Sequence, residues 1–211
     1  MKLHTDILTS AQEDVINLTA LHIEDLGFYL AGGTALALHL GHRRSVDFDW
    51  FLPNEMGSPE RIQQIFHDND IQFETTSVDR GTLHGTIQGI RFSFLEYRYP
   101  LLKSRIEWPG RGITIADKKD LACMKLSAIA QRGSRKDFVD VYALLKEGFQ
   151  LEELLEDYKE KYQQNSVGPV LYGLSYFDEA EDEPMPVMLW DISWSEIKTS
   201  IQKKVKHITQ Q

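Results

Sequence analysis

The sequence has little cysteine, no long hydrophobic run and no excess of positive charge. Its single cysteine, Cys123, excludes an internal disulfide and a cysteine-ligated zinc site. No apolar run approaches the roughly 18 residues of a membrane-spanning helix, and the first residues lack the apolar segment of a signal peptide. A cytoplasmic protein with no membrane partner is therefore expected. The formal net charge of −9 argues against a surface that coats nucleic acid.

Charge is unevenly distributed along the chain. Residues 98–136 carry ten lysines or arginines and three acids, whereas residues 147–191 carry twelve acids and two lysines. A basic middle can meet phosphate groups while the acidic remainder stays away from them, although solvated helix faces explain the same pattern. The length of 211 residues and the hydrophobic content of 42% suit a globular protein with a substantial core.

Apolar periodicity and turn residues divide the chain into a mixed half and a helical half. β-rich runs predict strands at residues 28–30, 45–52, 71–78, 83–88, 90–97 and 113–115. Helical patterns begin at residues 10 and 58 and cover residues 34–40, 117–133, 134–146, 151–164 and 194–208. A break is expected at residues 166–169 and a loop at 178–186. The order predicts an α+β protein, with a mixed α/β core over residues 1–116 and a helical region over 117–211 that completes the active site.

Two aspartates, Asp47 and Asp49, lie two positions apart in a predicted strand, so their side chains point to the same side. Val46, Phe48 and Trp50 then point to the opposite, buried side. Two carboxylates aimed at one point repel each other unless a cation lies between them. Mg²⁺ is commonly held by one or two carboxylates together with substrate phosphates. The pair predicts a metal and triphosphate site, although a solvated acidic strand face has the same spacing.

A glycine turn at Gly32 and Gly33, followed by Thr34 at the start of a helix, supplies the second half of such a site. Glycine permits positive φ and lets the backbone approach a ligand closely. The N–H groups at a helix N-terminus suit a phosphate, and the Thr34 hydroxyl can donate one more hydrogen bond. A glycine pair alone is usually only a turn. Its combination with the aspartate pair favours nucleotide binding.

The order Gly32-Gly33-Thr34, then Asp47-Phe48-Asp49, resembles the signature of the polymerase-β-like nucleotidyltransferase superfamily. The wider segments, residues 30–36 and 45–51 with Arg43 or Arg44 between them, resemble the AbiEii/AbiGii toxin family. The resemblance implies a nucleotidyltransferase fold with a mixed sheet and flanking helices. It also implies a place in bacterial toxin–antitoxin or phage-defence operons.

The resemblance continues on two downstream helices, where it implies an active-site lysine, Lys125, and an active-site aspartate, Asp137, with Asp140 as a further candidate. From the residues alone, Lys125 lies on or beside an apolar helix stripe and needs a partner. A triphosphate is a suitable partner, and reaching out to solvent is the alternative. Asp137 lies three positions after Ser134, where spacing alone favours a capping box.

The predicted catalytic residues are Asp47, Asp49, Lys125 and Asp137, and the predicted nucleotide-binding residues are Gly32, Gly33, Thr34, Ser45 and Lys125. Glu96, in a strand expected to join the same sheet, is the candidate for a third metal carboxylate. Its neighbours Arg91 and Arg98 offer an ordinary ion-pair explanation. His39 and His42 are interpreted as helix-end histidines rather than metal ligands.

These features predict a nucleotidyltransferase that moves an NMP from an NTP to an acceptor, with Mg²⁺ or Mn²⁺ as cofactor. The resemblance implies RNA, such as a tRNA 3′ end, as acceptor, with protein as the other option and a cognate antitoxin as partner. Two further interpretations stay open. A non-catalytic nucleotide-binding module would be indicated by loss of a carboxylate or of the glycine turn. A small-molecule, antibiotic-type nucleotidyltransferase would require a shaped, often acidic pocket.

Overall fold

The structure, a computed structural model, describes residues 2–210 and confirms the α+β class predicted from the sequence. Within this range the strands are β1 (Tyr29–Ala31), β2 (Asp47–Leu52), β3 (Glu74–Asp79), β4 (Thr82–Ile87), β5 (Ile90–Glu96), β6 (Ile106–Trp108) and β7 (Ile113–Ile115). The helices are α1 (Ser10–Asp25), α2 (Gly32–Leu40), α3 (Glu60–Asp68), α4 (Lys118–Gln131), α5 (Arg135–Lys146), α6 (Leu151–Tyr162), α7 (Gly168–Ser175), α8 (Asp178–Glu181) and α9 (Trp194–Thr209).

All seven strands form one mixed sheet in the order β3-β4-β5-β2-β1-β7-β6. β2 lies at its centre, antiparallel to β1 and parallel to β5. Phe48 and Trp50 of β2 are fully buried and pack their rings against Phe92 of β5. The first four residues of β2 alternate between half-buried and buried because one side of the strand faces this aromatic core. The odd-numbered side chains of β2 are thereby directed to the other side of the sheet.

The helical half is organised around α4, which packs against α2, α5, α6 and α7. Leu121, Leu126 and Ile129 of α4 are buried among these helices. A buried ion pair joins α4 to α6, with Lys161 Nζ 2.6 Å from Asp120 Oδ1. The contact between α2 and α4 connects the helical half to the glycine turn.

Several elements differ from the sequence prediction. The predicted break at residues 166–169 is the start of α7, because Pro169 in a first helical turn leaves no hydrogen bond unmade. The predicted loop at 178–186 contains the short helix α8, and β6 was not predicted. The capping box of α1 uses Thr9 and Gln12, whereas the spacing of Ser10 and Glu13 in the sequence predicts one that starts at Ser10. No helix within residues 2–210 is long and apolar enough to cross a membrane.

Candidate active site

The glycine turn brings the start of α2 against the middle of β2. β1 ends at Ala31, which pairs with Asp49, and α2 begins at the next residue with Gly32 at φ +68°. A methyl group at Gly32 would overlap Asp49 Oδ2. Glycine is therefore required twice, for its positive φ and for the close approach of the carboxylate.

Asp47 and Asp49 point away from buried Phe48 and Trp50, as the spacing predicted. Val46, which was predicted to be buried with them, is instead 60% exposed, because it lies before β2 begins. In the parallel pairing of β2 with β5, Arg91 lies opposite Asp47 and Ser93 lies opposite Asp49. Arg91 Nε is 2.6 Å from Asp47 Oδ1. This arginine supplies positive charge next to the first carboxylate.

The carboxyl group of Asp49 is held in an unfavourable setting for a negative charge. Burial raises its pKa, and the neighbouring charge of Asp47 raises it further. A hydrogen bond from Ser93 and the charge of Lys125 oppose this effect without cancelling it. A cation bound beside Asp49 would relieve the cost of ionisation.

Both carboxylates line a cavity of about 370 Å³. Its lining combines six basic side chains with two acidic ones. Even when the two buried aspartates behind it, Asp137 and Asp140, are included, the site keeps an excess of two positive charges. Such a lining suits a ligand with several negative charges, such as a triphosphate. The lining residues are Gly32, Gly33, Arg43, Arg44, Ser45, Val46, Asp47, Asp49, Arg91, Lys125, Arg132, Lys136, Met185, Pro186 and Val187.

Lys125 reaches this cavity from α4 and is held by two buried aspartates of α5. Its Nζ lies 2.9 Å from Asp137 Oδ1 and 2.7 Å from Asp140 Oδ2. Burial alone would lower the pKa of Lys125, but the charges of the two aspartates raise it above its usual value. An ammonium group has three donors, and two are used here. The third is available to a ligand in the cavity.

Asp140 binds a second cation of the cavity, Arg43. The guanidinium donates from Nε to Asp140 Oδ1 at 2.7 Å and from Nη2 to Asp140 Oδ2 at 2.9 Å. His42 Nε2 lies 2.7 Å from the same Oδ1, and burial lowers the pKa of His42, so the ring is neutral and donates this hydrogen bond. A methyl group at Gly33 would lie 2.6 Å from Arg43 Nη2. The second glycine of the turn therefore makes room for this arginine.

Asp137 does not lie in the cavity lining but behind it. Its side chain is fully buried, accepts a hydrogen bond from Ser134 Oγ at 2.7 Å and pairs with Lys125 and Arg132. The alternative capping-box interpretation is wrong, because the Ser134 hydroxyl donates to the carboxylate and caps no backbone N–H. The predicted catalytic role of Asp137 stays a prediction: the structure places its oxygens against Lys125, Arg132 and Ser134, so that it contacts the cavity through Lys125.

One of the predicted nucleotide-binding residues, Thr34, is placed differently from the prediction. Ser45 lines the cavity as expected. The buried hydroxyl of Thr34 instead donates to the backbone carbonyl of Asp47. The predicted hydrogen bond from Thr34 to a phosphate is therefore corrected: the hydroxyl fixes β2 relative to α2.

Glu96 is not positioned as a third metal carboxylate. It pairs with Leu52 at the far end of β2, so it lies on the opposite side of the sheet from the aspartate pair. Its carboxylate accepts hydrogen bonds from Met56 N–H and Arg98 Nε. The structure therefore supports the alternative interpretation, in which Glu96 forms an ion pair with Arg98.

A cavity wall that the sequence did not predict comes from residues 184–190, here called the crossing segment. Arg44 N–H donates to the Val187 carbonyl at 2.8 Å, and Leu189 N–H donates to the His42 carbonyl at 2.9 Å. An isolated β-bridge pairs Arg43 with Met188. No local pattern in the acidic, proline-containing stretch signals this pairing, because its partner lies about 140 positions earlier in the chain.

The donor set fits a divalent cation that shares its ligands with a substrate. Within residues 2–210, no group of three or more His, Cys, Asp or Glu side chains is placed to hold a metal ion. A closed protein cage is therefore not formed by the described residues. Two adjacent carboxylates, Asp47 and Asp49, are sufficient when phosphate oxygens complete the coordination of Mg²⁺.

Comparisons with known proteins agree with this fold. The family model described as nucleotidyl transferase AbiEii toxin, Type IV TA system, matches residues 18–102 and 90–207. An uncharacterized protein of Aquifex aeolicus (strain VF5) is 43% identical over 184 residues, which cover 85% of this chain and 86% of that protein. The solved structure of MenT4, a nucleotidyltransferase toxin from Mycobacterium tuberculosis H37Rv, aligns with a TM-score of 0.53 and 16% identity over 86% of this chain and 75% of its own.

A Megavirus polyadenylate synthase also aligns, with a TM-score of 0.47 and 16% identity over 64% of this chain, and the chain spans 31% of that structure. The likeness to MenT4 shows a shared nucleotidyltransferase fold. The family model covers most of the sequence, including both site motifs. The resemblance inferred from the motifs is thus confirmed: the chain belongs to the AbiEii nucleotidyltransferase toxin family.

Proposed function

We propose that this nucleotidyltransferase transfers an NMP from an NTP to a hydroxyl group of RNA, such as a tRNA 3′ end, with Mg²⁺ or Mn²⁺ as cofactor. The observation that supports this proposal most directly is that Asp47 and Asp49 lie on one strand face, inside a cavity lined by six basic side chains. In the cell, the protein would act as a cytoplasmic toxin with a cognate antitoxin or in phage defence. The family match supports the toxin assignment.

Different groups of the protein bind different parts of the nucleotide. Backbone N–H groups at Gly33 and at the start of α2 donate to a phosphate, which also lies at the positive end of the helix dipole. The Ser45 hydroxyl and the unused donor of Lys125 bind further phosphate oxygens. Asp47 and Asp49 would hold the divalent cation, which when bound offsets negative charge on the phosphates.

The reaction follows from this arrangement. The acceptor hydroxyl loses its proton to water and forms a bond to the α-phosphorus, while the bond from that phosphorus to the bridging oxygen of the β-phosphate breaks. Pyrophosphate leaves with the electron pair. Positioning and charge neutralisation supply most of the acceleration in such a step. Asp137 and Asp140 contribute by holding Lys125 and Arg43 in place.

An RNA acceptor is favoured by basic residues that extend beyond the nucleotide cavity. Arg132 and Lys136 line both the cavity and a neighbouring cleft of about 500 Å³. The Arg132 side chain is 63% exposed, so it can contact a second polyanion. A cationic small-molecule acceptor of the antibiotic type would instead need an acidic pocket. The positive excess of the lining argues against that alternative.

The test is to incubate the purified protein with each labelled NTP, Mg²⁺ or Mn²⁺, and either total RNA or total protein. Label transfer to RNA is expected and should be lost in Asp47→Asn and Asp49→Asn. Asp79→Asn is the matched control, because Asp79 lies on the exposed strand β3. Transfer to protein alone would overturn the RNA assignment. Absence of transfer with every NTP, metal and acceptor pool would refute the proposed activity.

A further inference from the structure

We propose that the base of the nucleotide packs against an apolar wall formed by Val46 and by Met185, Pro186 and Val187 of the crossing segment. This inference rests on the proposed function, because it places a nucleotide in the cavity described above. The four residues are named below as the apolar wall.

The cavity separates charged and apolar groups. Its basic side chains come from the segment after α2, from β5 and from the α4–α5 region, and its carboxylates come from β2. The remaining side chains larger than serine are those of the apolar wall. Triphosphate and metal are drawn to the charged part by electrostatics. The base carries little charge, and so we place it against the apolar wall.

Two valines of the wall are unusually exposed. Val46 is 60% and Val187 is 64% exposed, although most large apolar side chains of the described residues are buried. Exposed apolar surface beside a polar ligand site is a common sign of ligand contact. A flat base covering both side chains would remove their surface from water, which is favourable.

The wall is preformed rather than assembled by the ligand. The crossing segment is fixed by backbone hydrogen bonds from Arg44, Leu189 and Trp190 to partners across the bridge. Arg43, on the other side of the bridge, is itself held by Asp140. A wall that is already ordered binds a base without the entropy loss of ordering a loop.

The direct test compares NTP with tripolyphosphate, which carries the phosphates but no base. Each ligand is titrated by calorimetry, in the presence of Mg²⁺, into the native protein and into the double variant Val46→Ser/Val187→Ser. We expect the variant to bind the tightest-binding NTP about tenfold more weakly, because two base contacts lose apolar area, and to bind tripolyphosphate as the native protein does. Both valines are exposed, so the fold should be unaffected, which circular dichroism checks.

Val78→Ser is the matched control, because Val78 is an exposed valine on β3 outside the cavity. Unchanged NTP affinity in the double variant would overturn the inference and assign the wall to another occupant, such as a protein partner. Equal loss for both ligands would also overturn it, as would native binding of tripolyphosphate as tight as that of NTP. In these cases the proposed transfer activity would stand. Native protein that binds neither ligand would refute both.

Discussion

Asp140 is the residue on which the buried cations of the site converge. Its oxygens contact Arg43, Lys125 and His42, and its side chain has no exposure to solvent. Burial alone would raise the pKa of Asp140, but the charges of Arg43 and Lys125 and the hydrogen bonds of His42 and Arg43 hold it well below its usual value. The carboxylate is therefore ionised throughout the physiological range and keeps two cations of the cavity wall in position.

Replacing Asp140 by asparagine should lower the free energy of unfolding by about 3 kcal/mol at pH 7, because two buried cations lose their shared counter-charge. Urea denaturation measures the change. Asp79→Asn on the exposed strand β3 should change stability by less than about 0.5 kcal/mol. A loss below about 1 kcal/mol for Asp140→Asn would contradict this account of the network.

The pH dependence of this variant has a definite sign. A carboxyl whose pKa is lowered by folding contributes stability above its unfolded pKa, about 3.9, and loses it as the pH falls toward the folded pKa. The gap in unfolding free energy between native protein and Asp140→Asn should therefore be constant from pH 7 to about pH 5 and shrink below about pH 4. A gap that widened on acidification would contradict the lowered pKa.

Asp49 is expected to behave in the opposite way. Because folding raises its pKa, the ionised carboxylate destabilises the native state above the unfolded pKa of about 3.9. Asp49→Asn should therefore be more stable than the native protein at pH 7, with a difference that disappears below about pH 4. Thermal unfolding measures both. Added Mn²⁺ should stabilise the native protein and not the variant. If Asp49→Asn were less stable than the native protein at pH 7, this would contradict the raised pKa of Asp49.

At the scale of elements, the turn between β1 and α2 determines where the carboxylate of β2 can lie. Gly32 and Gly57 have nearly the same φ, +68° and +67°, but a methyl group meets Asp49 at Gly32 and nothing within 4 Å at Gly57. The two positions form a matched pair. A substitution at Gly57 tests the cost of the backbone conformation alone, whereas a substitution at Gly32 also tests the effect of displacing Asp49.

Alanine at Gly57 should lower the free energy of unfolding by about 1 kcal/mol, because a side chain disfavours positive φ. Alanine at Gly32 should lower it by more, because its methyl group also overlaps Asp49. Only Gly32→Ala should also reduce nucleotide transfer, by more than tenfold, since it displaces Asp49. Urea denaturation and the labelled-NTP assay separate the two effects. Equal rates of nucleotide transfer by the two variants would show that the close approach of Gly32 to Asp49 is not needed for activity.

The sequence predicted those parts of the site that depend on local geometry. The common face of Asp47 and Asp49 follows from strand alternation, and Gly32 marks a turn in any context. Glu96 was misassigned because the pairing of β5 with β2, which sets its face, is a long-range property. The crossing segment was missed for the same reason. Asp137 was recognised through the family motif, whereas its buried contacts with Lys125 and Ser134 depend on how α4 and α5 pack and could not be read from the sequence.

For the whole molecule, the positive charge of the cavity contrasts with a net charge of −9. An RNA acceptor should therefore meet few cations, mainly those near Arg132 and Lys136, and be repelled elsewhere. The salt dependence of RNA binding should be correspondingly weak. Lys136→Ala should reduce the slope of log K against log salt by about 0.7, the effect of one phosphate contact in single-stranded nucleic acid.

Fluorescence anisotropy with a single-stranded RNA at several salt concentrations gives this slope. Lys203→Ala on α9 is the control, because Lys203 is exposed but does not line the cavity. Its slope should equal that of the native protein. Equal reductions in both variants would indicate diffuse binding over the surface rather than contact beside the cavity.

The bridge between Arg43 and Met188 also has a consequence for the timing of protein synthesis. Met185, Pro186 and Val187 are translated about 140 codons after Arg44, and so they follow the glycine turn and the carboxylates by a long interval. At 5–20 residues per second, that interval is roughly 7–28 s. During this time a nascent chain carries Asp47 and Asp49 without the residues that complete the cavity wall. We therefore expect a protein built in this way to stay inactive until the crossing segment has been translated.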